Sequence, residues 1–267
     1  MSTKTHVITA TNHKGGCGKT TTIVNLAAEL ANLGKSVIVI DLDPQGNTSS
    51  HISTITPSEL SFTITDLLKD GTPNKLLHSI QENTNIPGVS LIAATQSLLV
   101  LAEENRLATI HKTNRPHAIL NRVIAPLDGV YDYILIDTGP NLGVLTGNAL
   151  ESSTHYIVPV KSGSVYSIEG LAGLPAFIDH IKKSNPKLQP LGVLFTDYNE
   201  RQKADRLAKS VIKDLQKDKM PIIPIEIVSS TKVDFAALNK TSLSELDNNS
   251  PVAKSFKRLA MWVEKNV

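Results

Sequence analysis

The chain reads as an α/β protein: a single domain with a mostly parallel, twisted sheet and helices on both faces. Two observations lead there. Short apolar, β-branched runs alternate with helical patterns along the 267 residues, and the first such run opens directly into a glycine-rich loop. Strand patterns fall at 6–11, 36–41, 89–93, 131–137, 154–160, 190–196 and 221–227. Helical patterns fall at 19–33, 97–110, 115–125, 142–151, 165–183, 200–218 and 251–265.

The first strand carries Val7, Ile8, Thr9 and Thr11, and the helix after it repeats Ile23, Leu26, Ala27 and Leu30 at one-face spacing. Val37 to Ile40 and Tyr133 to Ile136 are unbroken apolar runs, as expected of strands covered on both sides. The Ser/Thr-rich stretch 46–62 reads as a surface excursion after a strand. No repeat or linker composition divides the chain, so 1–267 is expected to be one domain.

Composition narrows the class. Hydrophobic residues make up 40% and charged residues 19%, ordinary for a globular protein, and aromatics only 4%, so Ile, Leu, Val and Ala must build the core. A single cysteine excludes an internal disulfide framework or a cysteine-held cluster. No apolar run approaches membrane-spanning length and no secretory pattern opens the chain, so the expected location is cytoplasmic. Residues 1–150 hold 10 Lys/Arg against 12 Asp/Glu, and residues 151–267 hold 17 against 13. That asymmetry makes a polyanionic partner for the C-terminal half worth testing.

Residues 12–22 read Asn-His-Lys-Gly-Gly-Cys-Gly-Lys-Thr-Thr-Thr. Gly15, Gly16 and Gly18 let the backbone curl so that successive N–H groups face an anion. Lys19 supplies a point charge to the outer phosphates, and the Thr20 hydroxyl is the expected Mg²⁺ ligand. The phosphates would sit at a helix N-terminus, where free N–H groups and the macrodipole favour negative charge. The loop departs from G-x-x-x-x-G-K-[ST], with His13 in place of the first glycine and a second lysine, Lys14, after it. Cys17 occupies a variable position, where small-residue packing is a better reading than thiol chemistry.

Two strands run into aspartate: Ile40 into Asp41-Leu42-Asp43-Pro44-Gln45-Gly46-Asn47, and Ile136 into Asp137-Thr138-Gly139-Pro140. Ligands gather at the carboxyl ends of parallel strands. A carboxylate there can hold Mg²⁺ through water, and another can orient the water attacking a γ-phosphate. Turn capping by the same aspartates is the bland alternative.

Together these motifs resemble the ParA family of deviant-Walker ATPases, which partition plasmids and chromosomes. The similarity continues through Asn141 to Leu150, Ile157-Val-Pro-Val, Tyr166 to Leu171 and Leu191 to Thr196. The resemblance implies an ATP-dependent sandwich homodimer. Lys14 would reach the partner's nucleotide, Lys19 would bind phosphates in its own subunit, and Thr20 would ligate Mg²⁺. Asp43 would position the attacking water, with Asp41 and Asp137 holding the Mg²⁺ water shell. The nucleotide-binding set is then Lys14, Gly15, Gly16, Cys17, Gly18, Lys19, Thr20 and Thr21. The resemblance also implies a short form without an N-terminal helix-turn-helix extension, a ParB-like centromere-binding adaptor, and association with nucleoid DNA. Two departures stand out: Gly139 where the family usually has proline, and Ile227-Val228-Ser229 in the loop expected to contact adenine.

In 201–219 seven Lys/Arg accompany three Asp. On a helix Arg206, Lys209, Lys213 and Lys217 fall within about 80° of one another, opposite Ala204, Leu207, Val211 and Leu215. By itself such a stripe is as well explained as a solvated face; with the resemblance it becomes a candidate for non-specific DNA binding, with Lys232, Lys240, Lys254, Lys257 and Arg258 as weaker candidates. The amphipathic end of the chain, with Phe256, Leu259, Ala260 and Val263, suits a last helix packed on the sheet better than a membrane-surface helix of the MinD type. A small-molecule ATP-dependent ligase of the same fold is the remaining alternative, and Lys14 counts against it.

Overall fold

Seven strands form one sheet: β1 (His6–Ala10), β2 (Val37–Leu42), β3 (Ile80–Gln81), β4 (Val89–Ile92), β5 (Tyr133–Thr138), β6 (His155–Lys161) and β7 (Gln189–Thr196). Their order is β3-β4-β2-β5-β1-β6-β7. Every pairing is parallel except β3 on β4, an antiparallel edge. The computed structural model describes residues 4–56, 59–103, 106–163, 173–203, 205–207, 209–210 and 220–267.

Alternation along each strand divides the core. Ile8, Val37, Val39, Leu91 and Leu135 face the layer formed by α1 (Lys19–Asn32) and the C-terminal helix Pro251–Asn266. Val7, Ile38, Ile40, Ile134 and Ile136 face the layer that contains Ile64–Asp70, Ile119–Ile124 and Val144–Glu151. Both layers are apolar, so the central strands are buried throughout and need no polar alternation. The C-terminal helix buries Val252, Phe256, Leu259, Ala260 and Val263 and leaves Lys254, Lys257 and Arg258 outside, so its apolar face is spent on packing. Among the described residues no helix is long and apolar enough to cross a membrane.

Several sequence expectations need correction. Residues 221–227 do not form a strand; they meet β7 through the isolated bridge of Val193 with Ile222 and a separate hydrogen bond from Ile227 N to Phe195 O at 2.9 Å. Pro221 and Pro224 lack the N–H groups a ladder needs. The 46–62 stretch is not a plain surface excursion, because it begins with α2 (Asn47–Ile52), in which Thr48, Ser49, His51 and Ile52 are buried. The 97–110 pattern is broken: its helix Leu99–Ala102 ends where Glu103 turns extended, and a second helix spans Arg106–Ile110. The 115–125 pattern starts as a 3₁₀ turn at Pro116 before helix Ile119–Ile124. Most of 165–173 and 211–219 lies outside the described residues.

Candidate nucleotide site and basic surface

The loop between β1 and α1 is shaped by its glycines. Gly16 and Gly18 have φ of 70° and 87°, a region that a side chain would strain. Gly18 precedes α1 with no side-chain cap, which leaves the first N–H groups of the helix for a ligand. Asn12 anchors the loop's start, donating from Nδ2 to Pro159 O at 2.7 Å and accepting from Lys14 N at 2.9 Å. The Lys19 side chain is buried, and its ammonium donates to the carbonyls of Asn12 at 3.2 Å and Lys14 at 3.0 Å. The Lys14 side chain lies on the surface. Cys17 is buried, its thiol donates to Lys14 O at 3.2 Å, and burial pushes its pKa up, which suits packing and not nucleophilic chemistry.

The register of β2 on β5 sets Asp41 directly beside Asp137. Both are completely buried. Burial first, and then the charge of Asp137, pushes the Asp41 carboxyl above its usual range; burial does the same to Asp137, offset by donors from Thr20 and Thr48. The two carboxylates are otherwise unlike. Asp41 is saturated by backbone and side-chain donors: Asp43 N to Oδ1 at 3.0 Å, and Ser49 N and Oγ to Oδ2 at 2.8 and 2.7 Å. On Asp137, Thr20 and Thr48 both donate to Oδ2, at 2.7 and 2.6 Å, while Oδ1 is buried with no hydrogen-bond partner among the described residues. A buried carboxylate oxygen left open beside a second carboxylate and a threonine hydroxyl fits a hydrated divalent cation. Mg²⁺ bound there would neutralise phosphate charge; Thr20 would ligate it and Asp137 would accept from its water shell.

Asp43 sits past the end of β2, 7% exposed. Its Oδ1 accepts from Gln45 N at 3.0 Å and its carbonyl from Gly46 N at 2.9 Å, so the Asp-Pro-Gln-Gly turn fixes its direction. Gly139 lies against it: a Cβ there would stand 3.2 Å from Asp43 Oδ1.

The loop and Asp43 border one cavity of about 450 Å³, whose lining includes Gly15, Gly16, Gly18, Lys19, Thr20 and Thr21, with Asp41 and Asp137 buried behind it. Its far wall is Lys161, Asp197, Ile227, Val228, Val233 and Phe256. Lys161 and Asp197 are ion-paired at 2.9 Å. Much of that wall is apolar, as suits a base, and Ile227-Val228 does line it. Sequence reading missed Asn12, Thr48, Ser49, Lys161 and Asp197. The hydroxyl pair straight after Gly46-Asn47 was the one available signal.

The basic stripe is less uniform than helical spacing suggested. Arg206 is exposed and donates to Glu200 O at 2.9 Å. Lys209 is half-buried and turned inward, ion-paired with Glu226, its ammonium 5.2 Å from the Tyr198 ring centroid. Lys232 is paired with Asp247, while Lys240 is exposed. Leu207, expected opposite the stripe, is 62% exposed. The pairing with Glu226 draws Lys209 in from solvent, whereas the Lys232 side chain stays 45% exposed beside Asp247. Lys213 and Lys217 lie outside the described residues.

A family model described as an AAA domain (AAA_31) matches residues 5–190. The chain is 32% identical over 270 residues to the chromosome-partitioning ATPase Soj of Thermus thermophilus, spanning 100% of this chain and 98% of that protein. It is 37% identical over 212 residues to the sporulation initiation inhibitor protein Soj of Bacillus subtilis, 79% of each. A crystal structure of cobyrinic acid a,c-diamide synthase from Mycobacterium smegmatis, with bound ADP and magnesium, superposes with a TM-score of 0.80 at 26% identity, covering 96% of this chain and 93% of that one. With a phosphate loop carrying Lys14 and Lys19 and paired carboxylates at two strand ends, the chain belongs to the ParA family of deviant-Walker ATPases, within the ParA/MinD superfamily.

Proposed function

We propose that this chain is a DNA-partition ATPase, one domain over 1–267, whose ATP-bound homodimer holds duplex DNA non-specifically and lets go after hydrolysis. The observation that carries it is the division of labour between the loop's lysines: Lys19 is buried over the loop, while Lys14 stands at the surface of the same phosphate site. A surface cation at the rim of a phosphate site can serve a nucleotide in a second subunit, which couples turnover to assembly as an arginine finger does. The relatives named for chromosome partitioning support the cargo class.

In this reading Thr20 and Asp137 hold Mg²⁺, with Asp41 as the charge beside them, and Asp43 aligns the water. The loop from Gly15 to Thr21 holds the phosphates. Arg206 and Lys240, both exposed, would contribute to the DNA face, with Lys213 and Lys217 as candidates from the sequence alone. A ParB-like centromere-binding adaptor would stimulate release. A membrane-positioning role is disfavoured by the C-terminal helix, whose apolar face is covered by α1 and the sheet.

The test is light scattering and duplex-binding anisotropy with ADP and with a slowly hydrolysed ATP analogue. Dimerisation and DNA binding that both require the ATP state support the proposal. A monomer in every nucleotide state, with ATP consumed only when a carboxylic acid and an amine donor are supplied, would favour the small-molecule ligase reading.

A further inference from the structure

α2 follows the Asp43 turn at once, and its first turn reaches back onto both buried carboxylates. Gly46 precedes the helix and supplies no side-chain cap. Thr48, the second residue of the helix, spends its hydroxyl on the sheet: its Oγ1 crosses 89 residues of sequence to donate to Asp137 Oδ2 at 2.6 Å. The Thr48 side chain is completely buried, so no water competes for that bond. Thr20 Oγ1 donates to the same oxygen at 2.7 Å. Two donors on Oδ2 and none on Oδ1 fix which carboxylate oxygen is left open.

We infer that Thr48 is a positioning residue for the metal site: it holds Oδ2 of Asp137 so that Oδ1 is the oxygen presented to the water shell of Mg²⁺. The inference rests on Asp137 being the metal-side carboxylate. The two threonines have different tasks. Thr20 lies in the first turn of α1, beside the loop, and must share its oxygen with the cation, so the direction of its proton is tied to occupancy of the site. Thr48 lies on α2, outside the lining of the cavity, and can keep its bond to Asp137 with or without the cation. Ser49 performs the matching task on Asp41, donating from N and Oγ to Oδ2, and its own Oγ accepts from Ala94 N at 2.8 Å. Outer partners of this kind tune metal affinity by orienting a group that the metal or its waters contact.

Full-length Thr48→Val, Thr48→Ser and Asp137→Asn proteins test this with a fluorescent, slowly hydrolysed ATP analogue titrated with Mg²⁺, alongside the same binding measured in EDTA. Thr48→Val should raise the half-saturating Mg²⁺ concentration by about 10- to 100-fold and leave metal-free nucleotide affinity within about twofold. Thr48→Ser, which keeps the hydroxyl, should stay close to wild type. Melting of each nucleotide-free variant reports folding, and Thr48→Ala replaces the valine if that protein does not fold. Wild-type Mg²⁺ dependence in the valine and alanine variants, with a large shift in Asp137→Asn, overturns the role of Thr48 alone. No shift in Asp137→Asn overturns the metal-side reading of Asp137. A valine variant that loses metal-free affinity as much as Mg²⁺ response assigns Thr48 a structural role and also overturns the inference.

Discussion

The ammonium of Lys19 donates to the backbone carbonyl of Lys14 at 3.0 Å. One lysine of the loop is thus held by the main chain of the other, and the Lys14 side chain takes no part in that bond. Buried in the loop with carbonyl acceptors, the Lys19 charge already stands at the phosphate loop, which limits what must reorganise on binding. Lys14 can therefore be truncated without disturbing its neighbour.

Lys14→Ala should leave ATP binding by the monomer within about threefold of wild type, because the carbonyl that holds Lys19 is retained. ATP-induced dimerisation should be lost, and turnover should fall by about a thousandfold or more, the scale of a cation supplied in trans. Light scattering with a slowly hydrolysed analogue, paired with phosphate release, reads both. An intact dimer with normal turnover would remove Lys14 from the mechanism.

Asp43 is fixed by its own turn and lies past the strand end, whereas Asp41 and Asp137 are side by side within the sheet. Asp43→Ala should lower turnover by about 10²- to 10⁴-fold, the usual share of a positioned acid–base group, while ATP affinity holds and the ATP-bound dimer accumulates. If ATP affinity falls as far as turnover, Asp43 belongs to the metal site instead.

Burial raises the folded-state pKa of Asp137 above its unfolded value. The sign follows: the folded protein holds this proton more tightly, so its stabilising contribution is full below the unfolded pKa and is lost as pH rises through the raised folded value. Asp137→Asn should therefore melt higher than wild type at pH 8, by a margin that narrows at pH 5.5; the histidines that burial holds below their usual pKa act alike in both proteins. Adding Mg²⁺ with ATP should raise the wild-type melting temperature and fail to do so in the asparagine variant. A variant that melts lower than wild type at pH 8 would mean that the ionised carboxylate is not strained by its surroundings.

Reversing Arg206 and Lys213 to Glu should weaken binding to unrelated duplexes alike and flatten the plot of log affinity against log salt, by about 0.9 for each phosphate no longer neutralised. ATP hydrolysis without DNA should stay near wild type. Lys209→Glu should instead lower the melting temperature, since it would set a carboxylate against Glu226, the present partner of Lys209. Anisotropy at several salt concentrations separates the two effects. Unchanged DNA binding in the double variant moves the DNA face elsewhere.

The phosphate loop, the strand-end aspartates and the strands at 6–11, 36–41 and 131–137 were legible because each is a local matter: glycines that permit a curled backbone, and apolar runs too continuous for anything but a covered strand. Side-chain partners were not. Nothing along the chain says that Thr48 meets Asp137, or that Asp41 is saturated by Ser49 while Asp137 keeps an open oxygen; those facts come from the register of β2 on β5 and the return of α2 over the sheet end. The orientation of Lys209 was hidden for the same reason. Helical spacing puts Arg206 and Lys209 on one face, yet Lys209 turns to Glu226, a residue supplied by the segment after the helix. The α/β class and the phosphate chemistry could be read directly from the residues, since both depend on neighbours a few positions away. Which carboxylate oxygen is open and which lysines face solvent was settled in three dimensions, because a charge or a hydroxyl takes the nearest partner in space, whatever its distance along the chain.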